Sequence, residues 1–172
     1  MSCMLESFAE QEFKNLLDFL AETPQVVRQL SQDLAPDELK RKPSDKEFSV
    51  QENVCHLRDI EQEGYTVRIE KLLNEHEPVL PDINGAKLAM ERDYNSQDLA
   101  TGLEEFARLR ERNVSALRNL RPESLGRTGT LEGAGKITLK RLAAMMREHD
   151  EDHLAELNNL REWLTKSKAA RL

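Results

Sequence analysis

The run Leu139-Lys140-Arg141-Leu142-Ala143-Ala144-Met145-Met146-Arg147-Glu148-His149-Asp150-Glu151-Asp152-His153-Leu154-Ala155-Glu156-Leu157, continued by Leu160 and Leu164, repeats apolar residues at steps of three and four. That step is the period of one face of an α-helix. The face reads Leu139, Leu142, Met146, His149, His153, Leu157, Leu160, Leu164. Two imidazoles therefore stand at positions that point toward a core.

Three further amphipathic segments precede this one. Leu5, Phe8, Phe13, Leu16, Leu17 and Leu20 draw a first helix, and Pro24 is expected to kink or break it before Val26, Val27 and Leu30 resume the pattern. A helical turn around Pro36-Asp37-Glu38-Leu39 and a polar loop, Lys40 to Phe48, lead to a second long helix. It opens on Ser49-Val50-Gln51-Glu52, a capping box in which hydroxyl and carboxylate satisfy amides of the first turn. Its expected extent is to about His76. Val50, Val54, Leu57, Gly64 and Val67 form its buried stripe, Ile60 lies on the flank, and Pro78 and Pro81 prevent continuation. A third helix begins near Ser96 and carries Leu99, Leu103, Phe106, Leu109, Val114, Leu117 and Leu120 up to Pro122.

Between the second and third helices, Glu77 to Asn95 is the longest link, long enough to return across a whole bundle. Gly126, Gly129, Gly133 and Gly135 crowd the segment before the last helix and predict turns. Their spacing fits neither a dinucleotide fingerprint nor a P-loop. Alternating β-branched runs are nearly absent, so the expected fold is all-α: a four-helix bundle, residues 1–172 as one domain.

Composition agrees. In 172 residues, 38% are hydrophobic, 33% are charged, and only 7 are glycine and 6 proline, which excludes collagen-like, disulfide-scaffold and wholly disordered classes. The 25 basic against 32 acidic residues give a net charge of −7, which repels phosphate backbones, so no nucleic-acid partner is expected. Lys166, Lys168 and Arg171 read as a helix tail that complements the dipole. No stretch is apolar for the roughly 18 residues of a membrane span, and the first residues lack a basic flank before an apolar run. No membrane partner is expected, and the expected location is cytoplasmic. Cys3 and Cys55 form no C-x-x-C pair and are expected to be reduced thiols.

The histidines carry the chemistry. Four residues apart on a helix, His149 and His153 place their Cβ atoms about 5–6 Å from each other, within reach of one metal ion. Buried without partners, each would leave a polar group unsatisfied at about 1–3 kcal/mol, and a cation would satisfy both. The alternative is a pair of hydrogen-bonded core histidines. A third ligand comes from His56 or His76. His56 flanks the buried stripe of the second helix and is the better candidate, whereas His76 falls at an exposed helix end. Three imidazoles with one vacant position make a catalytic rather than a structural type of zinc site. A zincin is excluded, since His149-Asp150-Glu151-Asp152-His153 lacks the His-Glu-x-x-His order. A ferritin-like dinuclear centre is excluded because only Asp150-x-x-His153 has even the form of its motif. Asp150 and Asp152 are expected to be solvated or to support the ligands from behind.

Assembled in this order, the residues resemble the DinB/YfiT-like superfamily of metal-binding four-helix bundles over most of the chain. The likeness lies in Phe48-Ser49-Val50-Gln51-Glu52-Asn53-Val54-Cys55-His56-Leu57 with Asp59, Glu61 and Arg68 following. It continues in Gly135-Lys136-Ile137-Thr138-Leu139 and in Glu148-His149-Asp150 through His153-Leu154. Phe48 stands where relatives commonly have tryptophan, keeping the hydrophobic anchor without touching the ligands. The resemblance implies an up-down-down-up topology, a homodimer, and His56, His149 and His153 around one divalent ion, zinc or nickel. It further implies a thiol S-transferase that activates a low-molecular-weight thiol, such as bacillithiol or mycothiol, for attack on small electrophiles. Two other functions remain open: a hydrolase with Glu61 or Glu63 as base, and a non-enzymatic, stress-associated metal-binding bundle. Arg68 and Tyr65 bind a carboxylate or a phenol-seeking group, or serve as a surface ion pair and a packed aromatic. Cys55 supplies a thiolate of its own or is a small buried hydrophobe.

Overall fold

The computed structural model describes residues 2–169, with side chains from residue 10 onward. Cys3, Leu5 and Phe8 lie outside the described side chains, and Arg171 lies outside the described residues.

Four long helical rods form a bundle. The first is α1 (Ser2–Ser31); the second is α3 (Val50–Asp59), a π-helical turn (Ile60–Thr66) and α4 (Val67–Asn74) in one continuous rod; the third is α6 (Leu99–Arg118) and the fourth α7 (Leu139–Ala169). Short α2 (Pro36–Lys40) follows the first rod, and β1 (Val79–Leu80) and α5 (Gly85–Glu91) lie in the long link. β2 (Thr128–Leu131) and β3 (Gly135–Thr138) precede α7.

The core comes in two apolar clusters, and their membership fixes the topology. The lower one takes Leu17 and Leu20 of α1, Ile69 and Leu72 of α4, Val114 and Leu117 of α6, and Leu139, Leu142 and Met146 of α7. The upper one takes Val27, then Val50, Val54 and Leu57, then Leu103 and Phe106, then Leu157, Leu160 and Leu164. Chain order thus rises through α1, descends through α3–α4, descends again through α6 and rises through α7, which is up-down-down-up. Two successive descents require the link to climb the full bundle, and its length is explained. The link is pinned as it climbs. Asp59, which is 2% exposed, receives Arg92 Nη1 at 2.6 Å, the Tyr94 hydroxyl at 2.8 Å and Arg58 Nε at 2.7 Å.

The capping box forms as the sequence indicates: Glu52 N donates to Ser49 Oγ at 3.1 Å and Ser49 N to Glu52 Oε2 at 2.7 Å. Three expectations need correction. α1 runs unbroken through Pro24. Proline has no N–H to give the Leu20 carbonyl four residues back, and Arg110 Nη1 takes that place at 3.2 Å. The second rod ends at Asn74, two residues short of His76. The glycine-rich segment is a β-hairpin, antiparallel β2–β3, with β1 added parallel to β2. Gly129 is required there, because a Cβ would lie 2.8 Å from the carbonyl oxygen of Pro78, just before β1. Among the described residues, no helix is long and apolar enough to cross a membrane.

Candidate metal centre

Between the two apolar clusters the bundle has one polar level, and each rod contributes to it. α7 supplies His149, Asp150 and His153 between Met146 and Leu157; α3 and the π-helical turn supply His56, Asp59 and Glu61; α6 supplies Arg110 and Asn113. α1 contributes Thr23 and Pro24.

His56, His149 and His153 converge here, each offering a ring nitrogen, all within 4.8 Å of one another. His56 Nε2 lies 3.2 Å from His149 Nε2. Two imidazole nitrogens bound at about 2.0–2.1 Å to one tetrahedral ion would stand roughly 3.3 Å apart, so the observed edge suits a shared cation. Ring orientations are set from behind. His153 Nδ1 donates to Asn53 Oδ1 at 2.7 Å and to Glu156 Oε2 at 3.0 Å, while Asn53 Nδ2 donates to the Ser49 carbonyl at 3.1 Å. That chain keeps the proton on Nδ1 and leaves the His153 Nε2 lone pair free for a metal. His56 is held by packing instead. Phe48 lies 5.2 Å from its ring, and Gly85 backs its Cε1–Nδ1 edge so closely that a Cβ would stand 2.3 Å from Cε1. Phe48 therefore touches a candidate ligand directly, contrary to expectation. Nδ1 of His56 and of His149 are buried and find no partner among the described residues.

Two of the rings are shifted in their titration by being taken out of water. Burial lowers His56 from 6.5 to about 4, with a smaller contribution from a charge on His153. Burial, followed by His153 and His56, lowers His149 to about 2. Both are neutral at physiological pH, which is the form a metal requires. Glu156 is held below the usual carboxylate range chiefly by its hydrogen bond to His153.

Other residues singled out from sequence fall as follows. His76 is exposed at the far end of the second rod. Asp152 is exposed, and Asp150 is fully buried but faces Arg110 rather than the imidazoles. Glu61, 1% exposed, accepts from Arg110 Nη2 at 2.9 Å and Asn113 Nδ2 at 2.7 Å, so it is unavailable as a base. Glu63 pairs with Arg92 at 2.6 Å. Cys55 is buried, and burial raises its thiol to about 11, the setting of a small hydrophobe. Tyr65 packs edge-to-face with His149, their ring centres 5.8 Å apart, and donates to the Met145 carbonyl at 3.3 Å. Burial, then the charges of Asp150 and Glu61, push its hydroxyl well above the usual phenol range.

Arg110 and Gly85 were missed by sequence reasoning. Arg110 had left a signal: it stands four residues after Phe106 and four before Val114, on the stripe of buried positions. Gly85 left none, because its contact partner is 29 residues away and on another element.

The π-helical turn sets what lies beside the imidazoles. Arg68, twelve residues beyond His56, would in an unbroken α-helix be rotated about 120° from it, at roughly 100° per residue. One surplus residue in the wider turn removes about 100° of that, so both face nearly the same side. The turn is braced by Thr66, whose Oγ1 donates to the Glu61 carbonyl at 2.8 Å and accepts from Asn113 Nδ2 at 2.9 Å.

A three-imidazole centre in the polar level of an up-down-down-up bundle defines a class of helical protein able to hold one metal ion. The chain belongs to the DinB superfamily, whose sequence profile matches residues 20–157. Among solved structures it is similar to YfiT from Bacillus subtilis, described as a probable metal-dependent hydrolase with an unusual four-helix bundle topology. The two are 20% identical with a TM-score of 0.83, over 90% of this chain and 89% of that one. Comparison with curated proteins finds no match.

Proposed function

We propose that the protein is a divalent-metal-dependent thiol S-transferase, with His56, His149 and His153 as the ligands of zinc or nickel. The observation that carries this reading is the donor set: three imidazoles, no carboxylate among them, and Glu61 and Glu63 both committed elsewhere. A divalent ion held there would lower the pKa of a small thiol at its remaining position, so that the thiol is deprotonated at neutral pH without a protein base. The chain's own residues orient and exclude. Asn53 and Glu156 keep a proton on His153 Nδ1, while Phe48 and Gly85 shield His56 from water. In the transfer the S–H bond breaks and its proton passes to solvent. A C–S bond forms at the electrophile, and the leaving group departs with its electron pair.

The likeness to YfiT favours a second reading, a hydrolase in which water replaces the thiol as nucleophile. The test uses metal-loaded protein with 1-chloro-2,4-dinitrobenzene and a panel of small thiols. Thiol consumption that requires the metal and disappears in His153→Ala upholds the transferase. Ester or amide cleavage without thiol upholds the hydrolase. Metal binding with neither activity leaves a non-enzymatic bundle.

A further inference from the structure

Three arginines are buried in this protein: Arg58, Arg68 and Arg110, among the described residues. Arg110 faces two buried carboxylates, Glu61 and Asp150, and Arg58 faces buried Asp59 at 2.7 Å. Arg68 has no such partner. Its one hydrogen bond among the described residues runs from Nε to the Pro81 carbonyl at 2.9 Å. The nearest carboxylate, Asp82, is 3.9 Å from Nη2 on a side chain 69% exposed. A surface ion pair is therefore not what holds it, since Arg68 itself is only 6% exposed. A guanidinium carries five N–H donors in a fixed fork, and four of these, on Nη1 and Nη2, are uncommitted.

Its position relates it to the imidazoles. The guanidinium carbon lies 5.6 Å from the centre of the Tyr65 ring, which in turn packs edge-to-face with His149. The π-helical turn rotates Arg68 onto the side of the rod that carries His56, and one stretch of the link covers both: Pro81 meets Arg68, and Gly85, four residues on, meets His56. Nη1 reaches back along the rod to Gly64 of that turn, where it lies 3.7 Å from the position a Cβ would take. π-helical turns recur at functional sites for the same reason, that they re-aim a side chain at the cost of local regularity.

We infer that Arg68 is the anchor for a carboxylate on the small molecule that reaches the histidine cluster, gripping it through the free Nη1 and Nη2 donors. The planar fork matches a carboxylate in two parallel hydrogen bonds, and in so buried a place it discriminates charged from neutral ligands. The inference rests on the metal-centre reading above and names the substrate class of that site: small thiols bearing a carboxylate.

The test uses the full-length protein loaded with cobalt(II), whose visible spectrum reports a ligand arriving at the metal, with 3-mercaptopropionate and its neutral counterpart 2-mercaptoethanol. Wild-type protein is expected to bind the acid more tightly by about tenfold or more. Arg68→Met should remove the difference while leaving cobalt content, helicity and affinity for the neutral thiol unchanged, and Arg68→Lys should keep part of it. Equal affinities in the wild-type protein, or a difference that survives Arg68→Met, overturns the inference. Should Arg68→Met fail to fold, Arg68→Lys and the wild-type comparison decide. Propionate, which has no thiol, separates the two readings by ligand-observed NMR. If neither thiol shifts the cobalt spectrum, the transferase reading fails. Propionate bound by wild-type protein and lost in Arg68→Met then upholds Arg68, and its absence from wild-type protein overturns it.

Discussion

Gly85 rests on the imidazole of His56 so closely that a methyl group in its place would stand 2.3 Å from Cε1 and 2.9 Å from Nδ1. The backbone of the crossing link is thus part of the ring's seat, and no residue with a side chain fits without moving the ring. Gly85→Ala is expected to weaken metal affinity by about 10–100-fold, the range for disturbed outer support of a ligand. Competition with a chromogenic chelator measures the affinity; circular dichroism should show the same helix content. Unchanged affinity would mean the link yields instead of the histidine.

Among the described residues Arg110 is the only cation paired with Glu61 and Asp150, and it also satisfies the Leu20 carbonyl that Pro24 leaves free. Arg110→Met strands two buried carboxylates and is expected to destabilise the protein by about 3–5 kcal/mol in urea denaturation. Adding Glu61→Gln and Asp150→Asn removes the stranded charges and should recover much of that loss. A triple variant no more stable than the single one would show that geometry, not charge, is what Arg110 supplies.

Metal-free protein should lose stability as pH falls from about 6.5 to about 4. His56 is lowered from 6.5 to about 4 in the folded chain, so between those values the unfolded chain binds the proton and the folded one does not. The contribution is complete above 6.5 and is lost on the way down, on the order of 3 kcal/mol from His56 alone. His149, lowered further, acts in the same direction. Urea midpoints of chelator-treated protein at pH 7.5, 6 and 5 measure this. A His56→Asn variant should show a shallower slope, and an equal slope would contradict the assignment.

Cys55 lies fully buried, with its thiol raised to about 11, and the thiol approaches the Tyr94 carbonyl at 3.8 Å. It should resist iodoacetamide in the native protein at pH 8 and react on denaturation, as read by peptide mass spectrometry. Rapid native alkylation of Cys55 would reopen it as a nucleophile.

The four rods were legible because their buried faces repeat over many turns: Val50, Val54 and Leu57 on one, and Leu139, Leu142, Met146 and Leu157 on another, are all buried as the period requires. The same periodicity set His149 and His153 on a core face and favoured His56 over His76 as their partner, while the full triad, whose ring nitrogens lie within 4.8 Å of one another, was implied by the family resemblance. What escaped lies where a local rule was overridden by a distant partner. Pro24 forbids a backbone hydrogen bond, yet α1 continues because Arg110, 86 residues later, replaces the donor. β1, β2 and β3 span two to four residues each, too few for an alternating pattern to register. The π-helical turn escaped for another reason: nothing in Ile60-Glu61-Gln62-Glu63-Gly64-Tyr65-Thr66 differs from an ordinary helical stretch until Asn113 and Thr66 are seen bracing it.

That turn gives the second rod one residue of slack. Deleting one residue between Ile60 and Thr66 would let the backbone relax into regular α-helix, and Arg68, then one step nearer to His56, would still lie within about 20° of it. Straightening the turn at its present length is what the rod cannot tolerate. Everything downstream would then swing by about 100°, carrying Ile69 and Leu72 out of the lower core and Arg68 away from the imidazoles. The stretch can therefore be shortened by one without cost to the site, whereas losing the Thr66 and Asn113 braces while keeping every residue would twist the two halves of the rod out of phase.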